Sequence, residues 1–162
     1  MTEPQSTRTR TRPGADTIVV GVDGSQPSIE ALLYAVKLGD ALGKRVEAIA
    51  VWHPSVSVYD VYSPEPGWSP ESEAHQILRD ALAKAFGDIV PDELNAATLE
   101  GRTAPALIEV SAGSEMLVLG SRGHGGFAGL MLGSVSAACA AHARCPVLIT
   151  HHGRPESRPE PT

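Results

Sequence analysis

The apolar run Met116-Leu117-Val118-Leu119 gives way to Gly120-Ser121-Arg122-Gly123-His124-Gly125-Gly126, and Gly133-Ser134 follows ten residues after Gly123. The spacing G-x2-G-x9-G-[ST] describes a loop that turns several backbone N–H groups toward one point beside the positive N-terminal end of the next helix. Its natural occupant is an anion, above all a polyphosphate. No lysine precedes Ser134, so this is not the G-x4-G-K-[ST] phosphate loop. Glycine at 120 and 123 lets the backbone approach closely, because a Cβ aimed at the phosphates would hold the N–H groups away. Gly125, Gly126 and Gly129 need supply only freedom to the spacer. Ser134 suits an N-cap and a phosphate ligand equally, and Arg122 either neutralises phosphate charge or faces solvent.

A second polar cluster, Val22-Asp23-Gly24-Ser25, lies near the start of the chain. The Asp23 carboxylate is suited to accept hydrogen bonds from ribose hydroxyls or an adenine amine; the competing reading is an Asx turn that starts the next helix. A phosphohydrolase needs a positioned base or a Mg²⁺ carboxylate at the terminal phosphate. Asp23 alone is acidic and near, and its expected place is the nucleoside end, so no dedicated catalytic residue is expected. His53, His75, His142, His151 and His152 have no zinc-site spacing, and no catalytic triad is readable.

The elements that must position these groups alternate along the chain. Residues 17–22 form a continuous β-branched run that suits a strand buried on both faces. Ser25 and Pro27 then open a helix whose stripe is Ile29, Leu32, Leu33 and Val36, stopped at Gly43. Residues 46–52 read as a strand, Ser69-Pro70 as the start of a helix ending near Gly87, and 96–99 as a short strand. A helix over 103–110, a strand over 115–119, a helix over 134–142 and a strand over 146–150 complete a βαβαβαβαβ order. That order predicts an α/β fold, a single-domain open parallel sheet with helices on both faces, Rossmann-like. In such sheets ligands bind beyond the carboxyl ends of strands, where the loops carrying Asp23 and Gly120 both emerge.

The chain has 162 residues, 42% of them hydrophobic, which sets the expectation of one domain over 17–151 between disordered tails at 1–16 and 152–162. A net charge of -6 argues against extended contact with DNA or RNA. No apolar run approaches the roughly 20 residues of a membrane span. The N-terminus lacks an apolar signal core, so the expected location is cytoplasmic. Cys139 and Cys145 are expected as buried free thiols. Residues 53–68 hold Tyr59, Tyr62 and Trp68 among prolines and serines, the composition of either a core-capping loop or a flap over the ligand.

Val19-Val20-Gly21-Val22-Asp23-Gly24-Ser25, the glycine pattern, and Cys145-Pro146-Val147-Leu148-Ile149, in that order, resemble the universal stress protein family. The resemblance covers residues 17–150. It implies a five-stranded sheet of order 3-2-1-4-5, a homodimer through the final strand at 146–150, and ATP binding, with or without Mg²⁺, in members that keep the whole glycine pattern. Carried onto this sequence, it puts Asp23 against the nucleoside, Gly21 and Val22 beside the base, and the Val51 backbone at the adenine edge. Gly120, Gly123, Gly133 and Ser134 match the phosphate-binding positions, with Ser121, Arg122, Val135 and Ser136 among them. The expectation is an ATP-binding regulatory or stress-response protein acting on an unidentified downstream partner. A slow ATP hydrolase or phosphotransferase and a nucleotide-independent scaffold are the alternatives.

Overall fold

The computed structural model describes residues 12–54, 67–123 and 132–151. Strands and helices alternate as β1 (Thr17–Gly21), α1 (Gln26–Leu42), β2 (Arg45–Trp52), α2 (Pro70–Phe86), β3 (Leu94–Glu100), α3 (Thr103–Val110), β4 (Met116–Gly120), α4 (Ser134–His142) and β5 (Val147–Thr150). The strands pair in parallel in the order β3-β2-β1-β4-β5, as expected.

The sheet sorts its side chains by alternation. Ile18 and Val20 of β1 point to one face, where they meet Ile29, Leu32 and Val36 of α1 and Leu78 of α2. Val19 points the other way and packs with Ile49, Leu117 and Leu119 against Leu107 of α3 and Cys139 of α4. Ile18, Val19 and Val20 have no solvent exposure, which explains why the run lacks polar alternation. Each such side chain contributes about 1.5–3 kcal/mol on burial.

Local signals set the helix ends. Ser25 caps α1 by accepting a hydrogen bond from the Ser28 N–H, and Gly43 closes it in the left-handed region at φ 64°. In α2 the Ser69 hydroxyl accepts from the Ser72 N–H at 3.0 Å, while the Ser72 hydroxyl accepts from the Ser69 N–H at 2.9 Å. β3 is longer than the expected 96–99 and pairs with β2 from Leu94 to Glu100. It is an edge strand with Asn95 and Ala96 exposed, so backbone pairing defines its length where the apolar pattern is weak.

Arg12 to Asp16, assigned above to the N-terminal tail, are tied to the domain. The Thr17 N–H donates to Gly14 O at 3.0 Å, Lys44 Nζ to Ala15 O at 2.9 Å, and the Arg45 N–H to Asp16 O at 3.0 Å. The Arg45 guanidinium also hydrogen-bonds the Asp16 carboxylate and holds its pKa below the ordinary value. Cys139 is buried and Cys145 half-buried, both as free thiols; burial first, then the neighbouring Cys145, pushes the Cys139 thiol up to about 11. No described helix is long and apolar enough to cross a membrane. Most of the 53–68 segment lies outside the described residues, as do His124, Gly125, Gly126 and Gly129.

Candidate functional site

The chain moves from β1 to β2 on one side of the sheet and later adds β4 on the other side of β1, so strand order reverses between β1 and β4. At that reversal the loops leaving the two strands' carboxyl ends meet. A Cβ on Gly120 would sit 2.8 Å from both the carbonyl carbon and oxygen of Pro27, at the start of α1. A Cβ on Gly123 would overlap Asp23 Oδ2. One on Gly21 would come within 2.6 Å of Leu119 Cδ2. At Gly120 the neighbour is backbone and a Cβ has no room; at Gly123 and Gly21 it is a side-chain end that would have to move. For Gly120 and Gly123 this differs from the expectation of a Cβ aimed at phosphates, since the space a Cβ needs is already filled by the neighbouring loop.

Asp23 forms the Asx turn that was one of the two readings of its sequence position. Its Oδ1 accepts hydrogen bonds from the Ser25 N–H, at 2.9 Å, and from the Ser25 hydroxyl, which makes the Asx turn that launches α1. Its Oδ2 faces Gly123 across the crevice. The Asp23 N–H in turn donates to Ser28 Oγ at 3.3 Å, and that hydroxyl donates to Ser25 O at 2.9 Å. Ser28 was not among the expected site residues, although the Ser25-x-x-Ser28 spacing of a reciprocal cap was present in the sequence.

Three hydrogen bonds pin the base of the glycine loop. The Ser121 N–H donates to Thr150 O of β5 at 2.8 Å, the Gly133 N–H to Ser121 O at 2.7 Å, and the Ser136 hydroxyl to Gly120 O at 2.6 Å. The loop's two ends are thus held together at the mouth of β4. Ser134 is the first helical residue of α4, and the N-cap is Gly133, at φ -70° and ψ 162° with no side-chain cap. This settles the N-cap alternative raised for Ser134: its exposed side chain does not cap the helix. The first hydrogen bond into α4 runs from the Ala137 N–H to Gly133 O at 2.9 Å. The N–H groups of Ser134, Val135 and Ser136 precede any helical acceptor and end at the crevice.

A pocket of about 580 Å³ opens between these loops. Its wall holds Gly21, Val22, Asp23 and Val51 from the β1–β2 side and Gly120, Arg122 and Gly123 from the β4 side. Gly133, Ser134, Val135 and Ser136 complete it, so eleven of the twelve expected residues share one cavity. Ser121 is not on the wall; it is buried and serves the loop's closure. The wall also includes Ala74 and Ile77 of α2 and Thr103 and Leu107 of α3, which the sequence analysis placed only within the spans of two helices. Arg122 and Asp23 are the only ionisable side chains on the described wall, so its formal charges cancel. Among the described residues no group of three or more metal-ligating side chains occurs.

A family model described as the universal stress protein family matches residues 14–151. The chain belongs to the universal stress protein family. A universal stress protein of Mycobacterium tuberculosis is 34% identical over 145 residues, covering 86% of this chain and 50% of the relative. One of Mycobacterium bovis is 36% identical over 134 residues, covering 82% of this chain and 44% of the relative. This universal stress protein thus spans about half the length of the curated relatives it matches. Among solved structures, a universal stress protein in complex with cAMP is 29% identical, with a TM-score of 0.62 and coverage of 85% of this chain and 98% of that one. UspA from Lactobacillus plantarum shares the fold at a TM-score of 0.68 and 20% identity, over 84% of this chain and 97% of its own.

Proposed function

We propose that this universal stress protein holds an adenine nucleotide, ATP with its accompanying Mg²⁺, in the β1–β4 crevice and acts as a nucleotide-dependent regulatory protein of the cytoplasm. One observation carries the reading. Gly133 needs no glycine for the fold: its φ is -70°, and an added Cβ would have ordinary neighbours at 3.6 to 3.8 Å. Its missing side chain leaves room at the uncapped end of α4, beside the Gly123 N–H, where a phosphate fits.

In this reading the N–H groups of Gly123, Ser134, Val135 and Ser136 and the Ser134 hydroxyl bind phosphate, with Arg122 at the rim. Gly21, Val22 and Val51 border the base, and Asp23 Oδ2 accepts from the ribose. Micromolar affinity requires about 8 kcal/mol. Charge-assisted hydrogen bonds of about 1.5–3 kcal/mol each, with base burial, supply that sum. No base stands at the phosphate end of the described wall, so occupancy and not turnover is the proposed signal. The half-buried edge strand β5 supports a homodimer.

A second ligand, cAMP, is favoured by two observations. The ionisable groups of the described wall sum to zero charge, which suits a singly charged cyclic phosphate better than a triphosphate without metal. A relative at 29% identity is in complex with cAMP. The deciding experiment is to denature freshly purified protein, identify released nucleotide by mass spectrometry, and titrate empty protein with MgATP and with cAMP. Parent protein is expected to carry or bind nucleotide and Gly133→Ala to lose it. Equal occupancy in both proteins overturns the assignment of the phosphate site.

A further inference from the structure

A second cavity, about 620 Å³, lies away from the nucleotide crevice in the groove between α3 and α4. Its floor is small and apolar, formed by Ala104 and Ile108 of α3, Ala112 in the turn that follows it, and Ala138 of α4. Alanines at three of these four positions leave the space that larger side chains would fill. The rim is basic: Arg12, Arg102, His142 and Arg144 stand around it against one carboxylate, Glu109. Three arginines against one carboxylate run against a chain of net charge -6.

These side chains are spread along the groove. Arg102 precedes the first residue of α3, whereas His142 is the last residue of α4 and Arg144 lies two residues beyond it. Both helices follow parallel strands and run back across the same face of the sheet, so Arg102 marks one end of the groove and the His142–Arg144 pair the other. The eight residues of α3 span roughly 12 Å. Arg102, His142 and Arg144 are exposed, and none makes an ion pair among the described residues. Arg12 meets Glu109 at 3.4 Å, but the two side chains are 57% and 78% exposed, and such a pair exchanges readily for another carboxylate.

We propose that this groove docks an acidic, apolar-bearing segment of a partner protein. Aliphatic side chains of that segment would cover Ala104, Ile108 and Ala138, and carboxylates on either side would reach Arg102 at one end and Arg144 at the other. A single small anion satisfies one end and leaves the other unpaired, whereas three extended residues cover about 10 Å. Arginine at both ends adds forked, charge-assisted recognition of carboxylates. The inference is independent of the nucleotide reading, because none of these residues lies on the wall of the nucleotide crevice.

The test uses the full chain, labelled with ¹⁵N, and a synthetic peptide of alternating glutamate and leucine. Titration is expected to move the backbone resonances of Ala104, Ile108, Ala112 and Ala138. Arg102→Glu combined with Arg144→Glu is expected to weaken binding about tenfold or more, while the single charge reversal Lys37→Glu, at an exposed position of α1, leaves it unchanged. The milder Arg102→Gln/Arg144→Gln pair is expected to give an intermediate loss, which keeps the result independent of any misfolding in the charge-reversed protein. Unmoved resonances in the parent, or affinity equal to the parent's in both double variants, overturns the proposal. So does tighter binding of a peptide with glutamine in place of glutamate, or resonance shifts at these positions produced by an RNA oligonucleotide and not by the peptide.

Discussion

The Asp23 carboxylate abuts Gly123, so that a side chain at 123 and the present position of Oδ2 are mutually exclusive. Since the same carboxylate holds the Asx turn at Ser25, the glycine loop after β4 is keyed to the start of α1. Gly123→Ala is expected to lower stability by about 1–3 kcal/mol through overpacking. Asp23→Ala in the same chain is expected to recover part of that loss, with a coupling of about 0.5–3 kcal/mol in a double-mutant cycle measured by urea unfolding. Strict additivity would show that the two residues do not meet in solution.

Gly133 predicts the opposite pattern. Its backbone is in a region any residue adopts, and the new Cβ meets only ordinary contacts. Gly133→Ala is expected to keep stability within about 0.5 kcal/mol of the parent while reducing nucleotide affinity at least about tenfold. Thermal unfolding with and without MgATP reads both at once: the melting temperatures of the free proteins coincide, and only the parent's rises with ligand.

Most of the fold was legible before any coordinates because the signals were local and repeated. The β-branched run at Ile18 to Val20, the Ser25 and Ser69 caps and the Gly43 stop each sit where the structure has them. β3 was read short because an edge strand is defined by its pairing with β2 more than by its own residues. Of the twelve residues expected at a site, eleven line one crevice. The reasons behind the glycines were not legible, because Pro27 against Gly120 and Asp23 against Gly123 are contacts between segments roughly a hundred residues apart. For the same reason Ala74, Ile77 and Thr103 were hidden, since a helix stripe does not announce which cavity it overlooks.

The α1 cap supplies a prediction about stability alone. Ser25 Oγ accepts from the Ser28 N–H and donates to Asp23, and Ser25 is buried. Ser25→Ala is expected to cost about 0.5–2 kcal/mol, and Ser25→Thr or Ser25→Asn, which keep an acceptor and a donor there, less. Chemical denaturation of the three variants checks the order; alanine equal to the parent would mean that the cap is dispensable.

The two thiols should differ in reactivity. Burial and the neighbouring Cys145 raise the Cys139 thiol to about 11, so it stays protonated in the native state at pH 8, and the protein also shields it from reagent. With a disulfide reagent at pH 8, Cys145 is expected to react first and Cys139 only on unfolding, as a Cys145→Ser variant would show directly. The sign of the linkage follows from the raised pKa. The neutral thiol's contribution to stability is complete below the unfolded-state pKa near 9 and declines as pH rises toward 11. Cys139→Ala is expected to flatten that part of the pH–stability curve relative to the parent.

The edge strand gives the sharpest test of assembly, because its hydrogen bonds can be assigned residue by residue. Pro146 O and Thr150 O both accept from the β4 side, from the N–H groups of Leu117 and Ser121 at 2.8 Å each. Residues of a strand alternate in the direction of their backbone groups, so 146, 148 and 150 face β4, while the N–H and C=O of Val147 and Ile149 point away from the sheet. A second copy of the chain pairing along β5 would use those outward groups. Ile149→Pro removes one outward N–H and leaves every bond to β4 in place, which an edge strand tolerates. If the homodimer forms through β5, this variant is expected to elute as a monomer in size-exclusion chromatography with light scattering and to retain nucleotide. Leu33→Ser, on exposed α1, is expected to remain dimeric. A dimer that survives Ile149→Pro would place the contact elsewhere on the surface.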